Sequence, residues 1–163
     1  MGNVTRYVYD KNDRLIERID PLGNSETFGY DTVGNRILHI DRNGRKRTFD
    51  INEINQVVEE RWHDDSDLVF FSYSYTYDLT GRVELISSVD NTLRYEYDLA
   101  GNERVVESRL ASDNIVLTYE YDKNGFETNV IDNEGWEISS RYDQLSLLKE
   151  RSCLLYTSDA ADE

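Results

Sequence analysis

The stretch YEYDLAGN (Tyr95 to Asn102) sets two carboxylates among aromatic rings, the residue types a glycoside-cleaving site or a sugar platform would use. Acid–base cleavage of a glycosidic bond needs two carboxyl groups held at a fixed separation across a cleft. A site of that kind occurs once in a chain. Relatives of this stretch recur along the whole sequence: YVYDKNDR, FGYDTVGN, YTYDLTGR, YEYDKNGF and RYDQLS. Recurrence at a fixed interval is the mark of a structural repeat.

The register supports architecture over chemistry. The aspartates that close the copies are read as Asp10, Asp31, Asp50, Asp78, Asp98, Asp122 and Asp143, about twenty residues apart. Seven of the nine glycines (Gly23, Gly34, Gly44, Gly81, Gly101, Gly125 and Gly135) stand three residues after an Asp. Every tyrosine up to residue 152 lies within five residues before one of those seven aspartates. In FSYSYTYD, Phe71, Tyr73, Tyr75 and Tyr77 alternate with Ser72, Ser74 and Thr76, so period two places the rings on one face of a strand and the hydroxyls on the other. Asp-x-x-Gly suits a type I turn followed by a left-handed residue, the three-residue hairpin connection. Pro21 in DPLG stands second in such a turn, where its fixed φ fits. Return strands such as NRILHI and RVELISSV complete the unit. The pattern predicts an all-β chain, a long antiparallel meander of about fourteen short strands. Ile51 to His63 has some helical charge spacing but aligns with the other copies and is read as strand, with Asn55 near the usual glycine. WHDDSDLVF is read as a lengthened connection.

The pattern Y-x-Y-D-x-x-G-[NR] resembles the YD repeat of the rearrangement-hotspot (Rhs) proteins, the C components of bacterial ABC toxin complexes and the teneurins. The resemblance covers residues 5 to 148 in seven imperfect copies, with Asp13 and Ser146 replacing the turn glycine in the first and last. It implies a curved strip cut from a larger β-spiral shell, which in bacterial members encloses a C-terminal toxin segment and in teneurins is an extracellular scaffold. It also implies secretion or a cell-surface location. Residues 1–152 are therefore expected to be a YD-repeat array, a fragment of a longer protein. Its partners would be the remaining repeats and the C-terminal effector of the same polypeptide. The final eleven residues, CLLYTSDAADE (153–163), break the beat and resemble a translated sequencing adapter, so they are set apart as non-native.

Other chemistry is thin. His39 and His63 lack the spacing of zinc ligands. HDDSDL and DKNG lack the calcium-loop pattern. DPLG resembles the aspartate–proline motif at which such shells are cleaved, yet lies in an ordinary repeat turn. The formal charge of −15 opposes phosphate-backbone binding, and the one basic cluster, RNGRKR (Arg42 to Arg47), spans a hairpin tip. There is no apolar run long enough for a membrane helix. The expectation is a non-enzymatic segment with no catalytic, cofactor or metal residues. The alternatives are an adhesion or carbohydrate-binding scaffold that meets a cell-surface glycan or protein, and a glycoside hydrolase.

Overall fold

The computed structural model describes residues 4–110 and 113–155. The described residues hold fourteen strands and no helix, so the all-β antiparallel meander expected from the repeats is what forms. They group into two compact units, one of Met1–Thr76 with Ser87–Val89, the other of Tyr77–Ile86 with Asp90–Glu163.

In the first unit the strands are β1 (Arg6–Tyr9), β2 (Leu15–Ile19), β3 (Ser25–Tyr30), β4 (Arg36–Ile40), β5 (Lys46–Ile51), β6 (Val57–His63) and β7 (Val69–Tyr77). Each pairs antiparallel with the next. The second unit holds β8 (Val83–Ser87) up to Ile86, β9 (Asn91–Tyr97), β10 (Glu103–Leu110), β11 (Asn114–Tyr121), β12 (Glu127–Asp132), β13 (Trp136–Tyr142) and β14 (Leu148–Leu155). There β9 to β14 pair in the same sequential fashion.

Chain reversal is a local affair. At Asp10, Asp20, Asp31, Asp41, Asp78, Asp98 and Asp122 the backbone N–H of the Asp donates to the carbonyl four residues on, and the N–H three residues on returns a bond to the Asp carbonyl. The fourth residue of these turns has positive φ. Gly34, at 104°, and Gly125, at 83°, hold that conformation without steric cost. Asp13, Asn55, Asp67 and Ser146 hold it at 60 to 65°. All four are short and polar, and none is β-branched.

Two sequence readings are corrected. Asp50 does not open a turn; it lies inside β5 opposite Glu59 and pairs with Arg61 at 2.5 Å. Asn52 opens the turn instead, because its amide oxygen can accept the N–H groups of Ile54 and Gln56 (3.1 and 2.9 Å) as a carboxylate would. WHDDSDLVF is not a lengthened connection either. Asp64 to Asp67 form the same turn, with Asp67 in the glycine position. The twenty-residue beat is then the distance between turns on one rim. In the first unit Asp10, Asp31 and Asn52 open turns on one rim, while Asp20, Asp41 and Asp64 open those on the other.

The period-two expectation holds. Tyr73, Tyr75 and Tyr77 are half-buried while Ser74 and Thr76 are exposed, and the rings of Tyr95 and Tyr97 stack 6.4 Å apart. No apolar side chain among the described residues is fully buried. The rings are shielded by their neighbours on the same sheet rather than by a second layer.

Cys153, Leu154 and Leu155 continue β14, pairing with Ile138, Glu137 and Trp136. Residues 156–163, the bulk of the segment set apart in the sequence, lie outside the described residues.

Gly125 and Gly29 separate two roles of glycine. A Cβ at Gly125 would meet nothing within 4 Å, so the cost of Gly125→Val is conformational, about 1–2 kcal/mol. Gly29 sits in β3, where a Cβ would come within 2.9 Å of the Leu38 Cβ. Chemical denaturation should show Gly125→Ala destabilised and Gly125→Asn much less so, since Asn tolerates the left-handed region. At Gly29 both substitutions should be damaging.

Candidate functional site

The residues of YEYDLAGN and its relatives build a clasp at each turn. The opening carboxylate accepts the backbone N–H groups two and four residues on. At Asp10 these bonds measure 2.8 and 3.0 Å, at Asp31 3.0 and 2.8 Å, and at Asp78 2.8 and 3.0 Å. Its second oxygen takes the side chain of the residue after the glycine position: Arg14, Asn24, Asn35, Arg45, Arg82 or Asn102, at 2.7 to 2.9 Å. This is the physical content of the [NR] position in the repeat. Asn and Arg close the clasp because each carries N–H donors on a side chain long enough to reach back to the carboxylate.

These bonds hold the carboxylates ionised. The Arg14 backbone N–H is the largest cause of the lowered pKa of Asp10, and the side-chain amides of Asn24 and Asn102 are the largest for Asp20 and Asp98. At Asp31, Asp41 and Asp78 desolvation is the largest influence and pushes upward, but the hydrogen bonds together outweigh it and the net shift is down.

Tyrosine ties one clasp to the next on the same rim. The Tyr30 hydroxyl donates to the Leu15 carbonyl at 2.9 Å, Tyr97 to Val83 at 2.7 Å, and Tyr121 to Glu103 at 2.8 Å. Each acceptor lies five residues after the Asp of the preceding turn on that rim. The residue before the acceptor lies against the ring in two of these cases: Arg14 over Tyr30 at 4.9 Å and Arg82 over Tyr97 at 4.3 Å. Arg14 also donates to the Asp31 carbonyl at 2.9 Å. Phe126, at the same position in its turn, packs on Tyr142 with centroids 5.0 Å apart.

A second constellation went unnoticed in the sequence. Across β2 to β6 runs a chain of polar side chains on the aromatic face. Arg18 pairs with Glu26, and Glu26 Oε1 lies 2.8 Å from His39 Nε2. Arg47 reaches His39 Nδ1 at 2.7 Å and Glu60 at 3.3 Å. His39 is one of two buried polar residues among those described, and its ring stacks on Phe28 with the planes 2° apart. A guanidinium has donors only, so Nδ1 must accept and Nε2 must carry the proton given to Glu26. That bond is the largest cause of the lowered Glu26 pKa. Arg47 also lies over Trp62 at 5.1 Å. His63, the other histidine, is in β6 and bonds the Thr48 hydroxyl at 2.9 Å. The sequence signal available was the alternation of Glu26 with Phe28 and of His39 with Ile37, but the register that aligns them is set by the turns.

The basic cluster is spent on ion pairs: Arg42 with Asp20, Arg45 with Asp41, Lys46 with Asp67 and Arg47 with Glu60. Among the described residues, no group of three or more His, Cys, Asp or Glu side chains could hold a metal. Two shallow concavities meet at Phe49, one of about 230 Å³ lined also by Arg36, Asn35 and Asn55, the other of about 700 Å³ along Ile37, Thr48 and Ile51 and open to solvent.

Two outcomes follow from these contacts. The lowered carboxylate pKa values give stability that is fully present above the unfolded Asp value, about 3.9. It is lost as pH falls through the lower folded values. The urea midpoint should therefore be level from about pH 7 to 5 and fall as pH drops below about 4. Replacing His39 by Leu strands Glu26 and Arg47 on the sheet face and should cost about 1–3 kcal/mol, with His39→Gln recovering part of it; urea unfolding at neutral pH measures both.

Residues 9–46 match the RHS Repeat family. No curated protein matches the sequence. Among solved structures, the crystal structure of TcdB2-TccC3-Cdc42 aligns with a TM-score of 0.61 at 14% identity, over 91% of this chain and 10% of that one. The Photorhabdus luminescens Tc holotoxin pore, carrying a TccC3 substitution, aligns at 0.62 and 12% identity, over 97% of this chain and 12% of that one. A porin-like protein from Bacteroides uniformis gives 0.52 and 11%, over 93% of this chain and 82% of that one. At these identities the likeness is one of fold. The chain spans about a tenth of the length of the toxin-complex chains it matches. The RHS Repeat match covers residues 9–46, and the turn bonds from which the clasp is built recur in register as far as Leu147.

Proposed function

We propose that this chain is a structural repeat segment of an RHS shell that encapsulates or displays a C-terminal effector of the same polypeptide. The observation that carries the reading is the clasp itself. Asp or Asn closes turn after turn on both rims of the first unit, and tyrosine ties neighbouring clasps, so the recurring residues are consumed in building a wall. The division at residue 152, with 153–163 as a non-native tail, belongs to the same proposal, as does a secreted or cell-surface location. No helix among the described residues is long and apolar enough to cross a membrane.

The electrostatics support a non-catalytic role. Asp10, Asp20, Glu26, Asp31, Asp41, Asp50, Asp67, Asp78, Asp98 and Glu107 are all shifted downward, each held as an anion by its partners. A glycosidase acid needs the opposite, a carboxyl kept protonated near neutrality. A second reading, a carbohydrate-binding scaffold, is favoured by the half-exposed Phe49 and Trp62 with Arg36 and Arg47 over their rings.

Limited proteolysis of the product of the whole reading frame tests the shell. The C-terminal segment should resist cleavage under native conditions and be cut within minutes once denaturant opens the repeats. Cleavage at the rate of the isolated segment would overturn the proposal. Saturable glycan binding lost on Trp62→Ala, without hydrolysis, would support the scaffold instead.

A further inference from the structure

Four arginines of the described residues lie over aromatic rings, and three of them are held by carboxylates. Arg14 pairs with Asp10 at 2.7 Å, Arg47 with Glu60 at 3.3 Å and Arg82 with Asp78 at 2.6 Å. Arg36 is the fourth. Its Cζ stands 5.9 Å from the centre of the Phe28 ring and 5.8 Å from that of Phe49, and its guanidinium has no acceptor among the described residues. Register puts it there. Phe28 faces His39, Gly29 faces Leu38 and, across a bulge, Tyr30 faces Arg36, so Arg36 rises on the His39 side of the sheet. Phe49 is on that side too, two residues from Arg47, which faces His39.

Two asparagines beside Arg36 are oriented by the clasp. A carboxylate only accepts, so Asp31 Oδ2 takes the Asn35 Nδ2 at 2.9 Å. The other hydrogen of that Nδ2 goes to Asn55 Oδ1 at 2.8 Å. Asn35 Oδ1 is thereby left as an acceptor and Asn55 Nδ2 as a donor, neither with a partner among the described residues. Both asparagines line the smaller concavity with Arg36, and Phe49, Ile51 and Val57 supply its apolar part.

We propose that this concavity is a subsite for one acidic sugar, a hexuronate at the end of a glycan. Its carboxylate takes two parallel N–H bonds from Arg36, which the rings of Phe28 and Phe49 already hold in place. The C–H face of the pyranose lies against Phe49 and Ile51. Its hydroxyls, which both donate and accept, meet Asn55 Nδ2 and Asn35 Oδ1. A volume of about 230 Å³ suits a single sugar ring. Trp62 offers no equivalent, because the Arg47 over it is committed to His39 and Glu60. The formal charge of −15 disfavours a polyanion and confines the ligand to one carboxylate. The inference rests on the carbohydrate-scaffold reading and names the sugar class and the groups that hold it.

The test titrates the isotope-labelled full chain with sodium glucuronate at constant ionic strength, read on its backbone, amide and guanidinium resonances. Saturable shifts in the millimolar range should centre on Asn35, Arg36, Phe49 and Asn55. Glucose should bind at least about tenfold more weakly, the share of a charge-assisted pair. Arg36→Gln should cost the same factor, and Arg36→Lys, which keeps the charge without the planar fork, about fivefold. Asn55→Gly keeps a residue suited to the positive φ of that turn, so the fold is retained, and should weaken glucuronate about threefold. Arg42→Gln, whose arginine pairs with Asp20 instead, should change nothing. Absence of saturable shifts, or shifts indifferent to both Arg36→Gln and Asn55→Gly, would overturn the proposal. So would N-acetylglutamate binding as tightly as glucuronate, which would make the site a reader of acidic peptide. Neutral glycan binding lost on Trp62→Ala, with no response to glucuronate, would remove this inference and leave the scaffold. Glucuronate binding lost on Arg36→Gln, with no glycan binding through Trp62, would keep the subsite and remove the platform at Trp62.

Discussion

Everything in this chain depends on a carboxylate that satisfies its own turn. A sheet of short strands must reverse about every ten residues, and each reversal exposes backbone N–H groups that the ladder no longer uses. Asp at the opening position accepts two of them on one oxygen and keeps the other for a side chain four residues on. The turn thereby needs nothing from the rest of the protein. It can be repeated indefinitely along a strip, because its stability does not rely on a core that would have to grow with it.

That independence explains why the described residues have no buried apolar interior. Fourteen strands with no fully buried hydrophobic side chain would be a poor globular domain. Here the apolar surface is shielded sideways. Phe28 lies on His39, Phe71 meets Tyr73 edge to face at 4.8 Å, and arginines lie over Tyr30, Phe49, Trp62 and Tyr97. Phe71 and Tyr73 share β7, but the cross-strand pairs among these each contribute a fraction of a kcal/mol to about 1 kcal/mol, and their sum grows with strand number. The tyrosine hydroxyls add rigidity along the rim, since each spans from one hairpin to the next.

How far the sequence could be read follows from which of these devices are local. Asp-x-x-Gly is local, so the turns and positive φ at Gly34, Gly81, Gly101 and Gly125 were legible, as was the segregation of tyrosines from serines in β7. Asn55 near the glycine position was legible too, but Asn52 carries no carboxylate, and the turn asks only for a side-chain oxygen at the right distance. Asp64 to Asp67 carries no glycine and so lacks the Asp-x-x-Gly signal, whereas φ near 65° is tolerated by a short polar side chain. The His39 chain was not legible at all. Arg18, Glu26, His39, Arg47 and Glu60 are brought together by register, which depends on every intervening turn having the right length. The tyrosine acceptors are backbone carbonyls, which carry no sequence signal.

The same logic frees the tips of the turns. A turn closed by its own Asp is indifferent to what occupies the two central positions, so those residues are free to vary. In the first unit one rim carries Lys11–Asn12, Thr32–Val33 and Glu53–Ile54 at these positions, and the other Pro21–Leu22, Arg42–Asn43 and Asp65–Ser66. Between β10 and β11, Leu110 and Asp113 bond each other through their backbones, at 2.8 and 3.3 Å, and leucine has no side-chain oxygen to add to that pair. The repeat persists as a structural unit through such a loop because its strands still pair, in register, on both sides: β10 holds β9 with one edge and β11 with the other. Turn chemistry and strand pairing thus stand in for one another. That redundancy lets a repeat drift in sequence as far as these copies have while the meander keeps its order.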